Sequence, residues 1–356
     1  MGPVRVSRTF NSVAFYLSLA ACISVIYFLI SHLSVGSTSN ILPIRASSLQ
    51  KRDKTVNRQI SPSIVRYQMN NVTTSGNAIK NRETIIILTP MIQFYPEYWD
   101  NLMRLSYPHE LITLGFIIPK SRQGNLAMAA LQERLIKTQK YGPVNDRFKS
   151  IIIERLEYDS PFISQSGSEK YTLEGQRLRR SAIARAKNSL VFTTLNPAVA
   201  WVLWLDSDII MTPPSLIQDL TSHNKPIITP NCFEKYLDPN TKKLSERPYD
   251  FSSWQDSEMS QKLGQNIGKD DILLEGYTKM VTHRTLMAYM ATENGELGKE
   301  VGLDSVGGAV LLVKAEVHRD GAMFPPFSFY HLIESEGFAK MARRLGWNAT
   351  GLPNYK

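Results

Sequence analysis

Two carboxylates stand two residues apart, at Asp206 and Asp208, directly after the apolar run 200–205 (AWVLWL). Two acids this close repel each other unless a cation lies between them. Their oxygen atoms suit Mn²⁺ or Mg²⁺, and such an ion bridges the phosphates of a bound nucleotide. The pair therefore predicts a metal site for a nucleotide-sugar, whose leaving nucleoside diphosphate develops negative charge. The alternative is a turn with two solvated acids.

Other nucleotide or metal signatures are missing from the sequence. There is no G-x-G-x-x-G, no G-x-x-x-x-G-K-[ST], no C-x-x-C and no H-E-x-x-H. The acidic pair thus has to be interpreted from the elements around it.

Apolar, β-branched runs alternate with helical stretches in the first half of the globular part. Strands are predicted at 84–88, 111–118, 150–153 and 200–205, and helices at 97–105, 125–140 and 174–195. This alternation predicts an α/β fold with a mostly parallel sheet, and it places the acidic pair in the crevice at the carboxyl end of a strand. Beyond residue 230 the pattern is rich in loops, with a further strand at 308–313 and a helix at 334–345. We interpret this half as an elaboration of the same unit on the acceptor side.

The net charge of +9 is concentrated at the N-terminus. Residues 1–67 hold eight cations and one acid, so the remaining residues are close to neutral. A groove for nucleic acid is therefore not implied.

Residues 13–35 contain no Asp, Glu, Lys or Arg. About 20 apolar residues span a bilayer, whereas the apolar core of a signal peptide has about 7–15. Two arginines precede this run and no charge follows it before Arg45, so we expect a cytosolic N-terminus and a luminal body. The predicted organisation is a cytosolic tail (1–12), a transmembrane signal-anchor (13–35), a luminal stem (36–80) and a catalytic domain (81–356). A cleaved signal peptide is the alternative.

Several separated blocks, in order from about residue 84 to the C-terminus, resemble a known family. They include 87–90 (ILTP), 115–119 (GFIIP), 176–188, 204–208 (WLDSD), 248–250 (PYD), 304–309 and 324–326 (FPP). The chain resembles the fungal Golgi α-1,6-mannosyltransferases of the mannan polymerase complexes, glycosyltransferase family 62. The resemblance implies a GT-A fold with a single Rossmann-like domain, GDP-mannose as donor, Mn²⁺, retention of configuration and a type II Golgi membrane topology. It also implies an N-glycan acceptor and other polymerase subunits as partners.

The resemblance also implies roles for residues on the helix before the acidic strand. An arginine of this block approaches the diphosphate in the family, and Arg179 matches it; a guanidinium suits phosphate because its donors are planar and always charged. Arg185 and Asn188 are possible second contacts. Asp206 is expected to contact the donor as well as the metal. For Arg177, Arg180 and Lys187 we prefer the solvated face of an amphipathic helix.

Four more residues are candidates for the site: Asp250, Thr89, Pro90 and Asp304. Asp250 matches a family acid near the reacting sugar, where it would orient the acceptor hydroxyl or stabilise oxocarbenium character; its alternative is an ordinary loop carboxylate. Thr89 and Pro90 end the first strand where a guanosine would lie, or they only terminate the strand. Asp304, before Gly307 and Gly308, either contacts a sugar or forms a tight turn.

The last expectation concerns the metal shell. GT-A enzymes commonly add a late histidine to the two carboxylates, and in the family it follows the block matched by 351–355. The sequence ends at Lys356, so we expect the chain to be a fragment, with His331 directed elsewhere. The alternatives are that water replaces this histidine as a ligand, or that His331 substitutes for it. Two rival functions stay open: a non-catalytic structural subunit, and a transferase that uses UDP-sugars.

Overall fold

The computed structural model describes residues 65–69, 72, 74–157, 172–277 and 280–356. All of them belong to one compact unit, Val65–Lys356. No helix in these ranges is both long and apolar enough to cross a bilayer. The predicted signal-anchor at 13–35 lies outside the described residues. Of the predicted stem, residues 65–69, 72 and 74–80 are described, and Ala78 is buried in the core of the unit.

A central sheet of eight strands organises the described part of the chain. Its strands are β1 (Thr84–Pro90), β2 (Ile112–Pro119), β3 (Ser150–Leu156), β4 (Val199–Leu205), β5 (Ile227–Pro230), β10 (Val301–Leu303), β11 (Val310–Lys314) and β12 (Ala349–Leu352). Their order is β10-β12-β5-β11-β4-β1-β2-β3. The four strands from β3 to β4 are parallel, whereas β11 runs antiparallel to both β4 and β5 and β10 runs antiparallel to β12. The sheet is therefore mixed, and the prediction of a mostly parallel α/β sheet is confirmed.

The central strands are covered on both faces. Every residue of β4 is buried, and the inner five residues of β1 are buried as well. Alternate residues of each strand feed two separate core clusters, one on each side of the sheet. This burial explains why the runs are continuously apolar rather than alternating.

Seven helices are found in the described ranges. They are α1 (Pro96–Met103), α2 (Arg122–Leu135), α3 (Leu173–Thr194), α4 (Leu216–Ser222), α5 (Glu258–Gln265), α6 (Ala315–Arg319) and α7 (Glu334–Arg344). The side chain of Thr172 accepts a hydrogen bond from the Gly175 amide and caps α3, and Ser257 caps α5 in the same way. All four helices and all five strands predicted from the sequence are present, with shifts of a few residues at their ends.

The second half contains short elements that the sequence did not indicate. The strands β6 (Phe233–Leu237) and β7 (Leu244–Pro248) form a hairpin, and β8 (Trp254–Gln255) pairs with β9 (Thr285–Leu286). Asp250 follows the end of β7 by two residues. These elements bring the loop that carries Asp250 to the carboxyl end of β4.

One buried histidine below the site leads to a pH prediction. The indole N–H of Trp204 donates to Nε2 of His318 (3.2 Å), and Nδ1 lies 2.9 Å from the carbonyl oxygen of Ala322. The ring is therefore neutral, with its proton on Nδ1, and burial lowers its pKa to about 4.

Because the folded-state pKa of His318 is depressed, its stabilising effect is complete above about pH 6.5 and is lost as the pH falls towards 4. Between pH 7 and pH 5 we expect the wild-type free energy of unfolding to fall by about 2 kcal/mol more than that of His318→Asn. Urea unfolding at both pH values measures the difference. Equal pH dependence of the two proteins would contradict the assignment of a neutral buried ring.

Candidate active site

The acidic pair lies where β4 leaves the sheet. The Asp206 amide donates to the carbonyl oxygen of Ala309 (2.9 Å), so the residue is fixed against the start of the neighbouring antiparallel strand β11. The Asp206 side chain is half-buried, Ser207 is buried and Asp208 is exposed. The predicted position of the pair, at the carboxyl end of a buried strand, is confirmed.

The two carboxylates differ in environment. Burial raises the pKa of Asp206 to about 7, against the opposing effect of the nearby Lys187 ammonium; Asp208 adds to the upward shift. Asp208 instead accepts a hydrogen bond from the hydroxyl of Tyr249, whose pKa is raised by burial and by this bond. A cation between the acids would relieve their repulsion.

Asp250 is held beside this pair by the loop before β11. Its Oδ1 accepts from the Ser252 amide (2.9 Å), and burial raises its pKa. Gly307 allows the close approach, because a Cβ at this position would lie only 1.6 Å from Oδ2 of Asp250. The Gly307 amide donates to the Ser253 hydroxyl (2.8 Å), which fixes the two loops together. Asp250 thus lies within electrostatic range of Asp206, whose pKa it helps to raise, and its role near the reacting sugar stays a prediction.

Buried ion pairs lie below these acids. Lys187 is 2% exposed and its ammonium lies 2.7 Å from Oε1 of Glu334. Arg180 pairs with Glu336 (3.0 Å), and Arg284 approaches the same carboxylate (3.3 Å).

The prediction of a solvated face is therefore wrong for Arg180 and Lys187. Both point into the core because the glutamates at the start of α7 neutralise them there. It is right for Arg177, which is partly exposed and pairs with Glu174 on its own helix.

Lys187 also connects this network to the site. Burial by itself lowers its pKa, but the carboxylate of Glu334, with smaller contributions from Asp206 and Asp250, outweighs burial and raises it. Its ammonium lies so close to Gly308 that a Cβ there would be 2.5 Å away. The buried cation therefore supports the loop that holds Asp250 and offsets part of the negative charge of the acids.

The other residues of α3 that were predicted to contact the sugar donor differ in their surroundings. Arg179 and Arg185 are exposed and have no hydrogen-bond or ion-pair partner among the described residues. Asn188 is committed to the fold, since its amide donates to the Phe324 carbonyl (2.8 Å) and accepts from the Phe324 amide (2.9 Å). These two hydrogen bonds to the backbone give Asn188 a structural role, and its expected contact with the sugar donor stays a prediction.

The end of β1 is tightly packed. Thr89 is fully buried and its hydroxyl is hydrogen-bonded to that of Tyr98. Its side-chain hydroxyl is therefore used within the fold, while Pro90 is half-buried at the strand end. A guanosine contact at Thr89 would have to come from its backbone.

The described residues supply only part of the ligand shell that a metal ion needs. Within the described ranges, no group of three or more His, Cys, Asp and Glu side chains is placed to hold a metal ion. Asp206 and Asp208 offer hard carboxylate oxygens, which fit Mn²⁺ or Mg²⁺ when phosphates and water complete the shell. His331 lies elsewhere, with Nδ1 3.1 Å from the carbonyl oxygen of Asp271, which confirms the expected direction of its side chain.

Sequence reasoning missed Tyr249, Lys187, Glu334 and Arg284. Tyr249 directly precedes Asp250 in the block 248–250, so its nearness to the acids could have been inferred. For the buried pairs there was no such signal, because Lys187 and Glu334 are 147 residues apart in the chain.

The chain is similar to several known proteins. The chain is 50% identical to the mannan polymerase complex subunit MNN9 of Candida albicans over 82% of its length and 78% of that protein. It is 49% identical to mannan polymerase complex subunit mnn9 of Schizosaccharomyces pombe over 81% of its length and 83% of that protein. Among solved structures, a mannosyltransferase of Pyrobaculum calidifontis in complex with GDP-Man and Mn²⁺ is similar at a TM-score of 0.38, with 11% identity over 78% of this chain and 56% of that one.

The Anp1 family profile matches residues 63–328, a span that includes the acidic pair, Asp250 and the arginines of α3. The chain is also 50% identical to a mannan polymerase complex subunit over most of both chains. The chain therefore belongs to the Anp1 family, which is the mannan polymerase family that its sequence blocks resemble.

Proposed function

We propose that this chain is a glycosyltransferase of the GT-A fold class that transfers mannose from GDP-mannose to the α-1,6-linked mannan backbone of N-glycans. The observation that carries the proposal is the grouping of Asp206, Asp208 and Asp250 at the carboxyl end of β4, in a member of a family of mannan polymerase subunits. Retention of configuration is part of the proposal through the resemblance.

The carboxylates of Asp206 and Asp208 would hold Mn²⁺, which when bound neutralises charge on the diphosphate that leaves. Arg179 has no ion-pair partner among the described residues, so its guanidinium is available to a phosphate. Lys187 keeps a fixed positive charge under the acids. Asp250, in contact with the backbone of the Gly307 loop, is placed to orient the acceptor hydroxyl or to stabilise positive charge on the sugar ring.

A wide cleft beside Asp208 suits the acceptor. It has a volume of about 940 Å³ and lies between α1, the segment after Asp208 and the β6–β7 hairpin. Its wall combines exposed apolar and aromatic side chains with carboxylates: Ile210, Met211, Tyr249, Glu97, Asp100, Glu234 and Glu246. Sugar rings stack on such apolar faces, and carboxylates accept bonds from sugar hydroxyls. The cleft therefore favours an oligosaccharide over a small acceptor.

The proposal extends to the cellular setting. The uncharged run at 13–35 and the preceding arginines support a single-pass type II protein of the Golgi membrane, with the described domain in the lumen. Because related proteins are named subunits of mannan polymerase complexes, we propose that this chain also assembles with other subunits.

A turnover assay tests the function. The full chain is incubated with GDP-mannose, Mn²⁺ and α-1,6-mannobiose, and we expect a trisaccharide with a new α-1,6 linkage. UDP-sugars should give no product, and Asp250→Asn should lower kcat by at least about a hundredfold. Turnover with UDP-sugars, or product only after a partner subunit with an intact site is added, would favour one of the two rivals.

A further inference from the structure

A second cavity lies away from the wide cleft. It has a volume of about 240 Å³ and is bounded by α5, the β8–β9 ribbon and the turn at 330–332. None of its lining residues lines the cleft beside Asp208. A single water needs about 10–15 Å³ of such space, so the cavity is large enough for a ring-sized ligand.

The cavity wall has the composition of a carbohydrate site. It combines aromatic rings with amides and carboxylates that accept or donate in several directions: Trp254, Tyr330, Gln261, Gln265, Asp256 and Asp304. A sugar contact was one of the two alternatives for Asp304 in the sequence, and Asp304 lines this cavity rather than the cleft beside Asp208.

The charges of the wall are largely neutralised within the protein. The guanidinium of Arg284 lies 3.3 Å from Glu336 and 3.6 Å from Glu275, and Asp304 pairs with Arg343. The wall also holds Lys340 and Asp256, which have no ion-pair partner among the described residues and whose opposite charges offset each other, so the wall selects for neither sign of charge. A neutral ligand with many hydroxyl groups matches this wall best.

Two buried donors in the wall lack acceptors. The indole N–H of Trp254 and the Nε–H of Arg284 have no hydrogen-bond partner among the described residues. The guanidinium of Arg284 stacks on the Trp254 ring, 3.8 Å from its centroid. Both N–H groups have almost no accessible surface, so neither faces the open space of the cavity.

The backbone around the cavity is strained. Tyr330 has φ 52° and His331 has φ 64°, in the left-handed region that non-glycine residues seldom adopt. Outliers of this kind persist where the surroundings hold them, and they concentrate at ligand sites. Gly264 lines the cavity opposite this turn, and a Cβ there would lie 3.4 Å from the His331 ring.

We propose that this cavity binds one neutral hexose unit of a glycan, separately from the transfer reaction. The class of ligand follows from the wall alone. The choice of mannose as the probe rests on the proposed function, and sugar binding here would survive if the chain proved to have no turnover.

The test uses the indole N–H of Trp254 as the reporter. The full chain, labelled with ¹⁵N-tryptophan, is titrated with methyl α-mannopyranoside without nucleotide or metal, and Trp254→Phe assigns the signal. Because Trp254 lines the cavity, a bound sugar changes the magnetic environment of its indole N–H, and we expect the resonance to shift and to saturate. Absence of a saturable shift with mannoside would overturn the proposal, as would an equal shift with inorganic phosphate or acetate.

Gly264→Leu fills the cavity, and Gly298→Leu is the matched control in an exposed loop. We expect Gly264→Leu to weaken the mannoside response of Trp254 by about tenfold or more, and the control to leave it unchanged. Gln261→Ala, at an exposed position of α5, removes one amide from the wall and should weaken binding if Gly264→Leu fails to fold. If Gly264→Leu folds and its response is undiminished, the sugar binds elsewhere and the assignment is refuted. If Gly264→Leu does not fold, an undiminished response of Gln261→Ala refutes the assignment in the same way.

Discussion

Replacing Asp208 by asparagine is expected to lower kcat for mannosyl transfer by at least about a hundredfold. The change removes one negative charge from the pair that would hold the metal, and it hardly alters the shape of the side chain. The amide oxygen can still accept from the Tyr249 hydroxyl, so the loop should keep its position. Thermal unfolding and a Mn²⁺ titration of activity measure the two effects separately.

Asp270→Asn is the control for Asp208→Asn, because Asp270 is exposed and remote in sequence from the acidic pair. It should leave both activity and stability unchanged. If Asp208→Asn turns over at the wild-type rate and its thermal stability is unchanged, the assignment of a metal site to Asp208 is wrong.

Replacing Lys187 by methionine is expected to reduce the free energy of unfolding by about 3–5 kcal/mol. The substitution leaves Glu334 buried with one partner fewer, since only Arg180 remains near it, at 3.9 Å. The same change at Arg177, whose pair with Glu174 is exposed, should cost less than about 1 kcal/mol. Urea unfolding of the two variants gives the comparison.

The double variant Lys187→Met with Glu334→Gln separates the loss of the pair from the loss of packing. If the stranded carboxylate is the cause, neutralising it should restore part of the stability. Equal losses for Lys187→Met and Arg177→Met would mean that the buried pair contributes no more than a surface pair.

The parts of the fold that the sequence predicted are those with strong local signals. The strands β1 and β4 are continuous apolar runs because both faces are buried, and the acids that follow β4 mark its end. The helix α3 is long and carries a capping threonine at its start. In contrast, β6 and β7 are polar and only partly buried, so they have no periodicity that could distinguish them from loops.

The same holds for the candidate site: residues with a local sequence signal were predicted, and residues held by distant partners were not. Asp206 and Asp208 both follow the end of β4, so the local sequence pattern was enough to locate them. The inward direction of Arg180 and Lys187 depends on Glu336 and Glu334, which are 156 and 147 residues away. A charged residue on a helix is by default assigned to solvent, and only the tertiary fold supplies the partners that reverse this assignment.

Binding of GDP to the full chain, measured by isothermal titration calorimetry with and without Mn²⁺, tests the central claim most directly. The acidic pair should make GDP binding depend on Mn²⁺, with UDP binding at least about tenfold more weakly and Asp208→Asn abolishing the Mn²⁺ effect. GDP affinity that is the same with and without Mn²⁺, or no GDP binding under either condition, would contradict a donor site at Asp206 and Asp208.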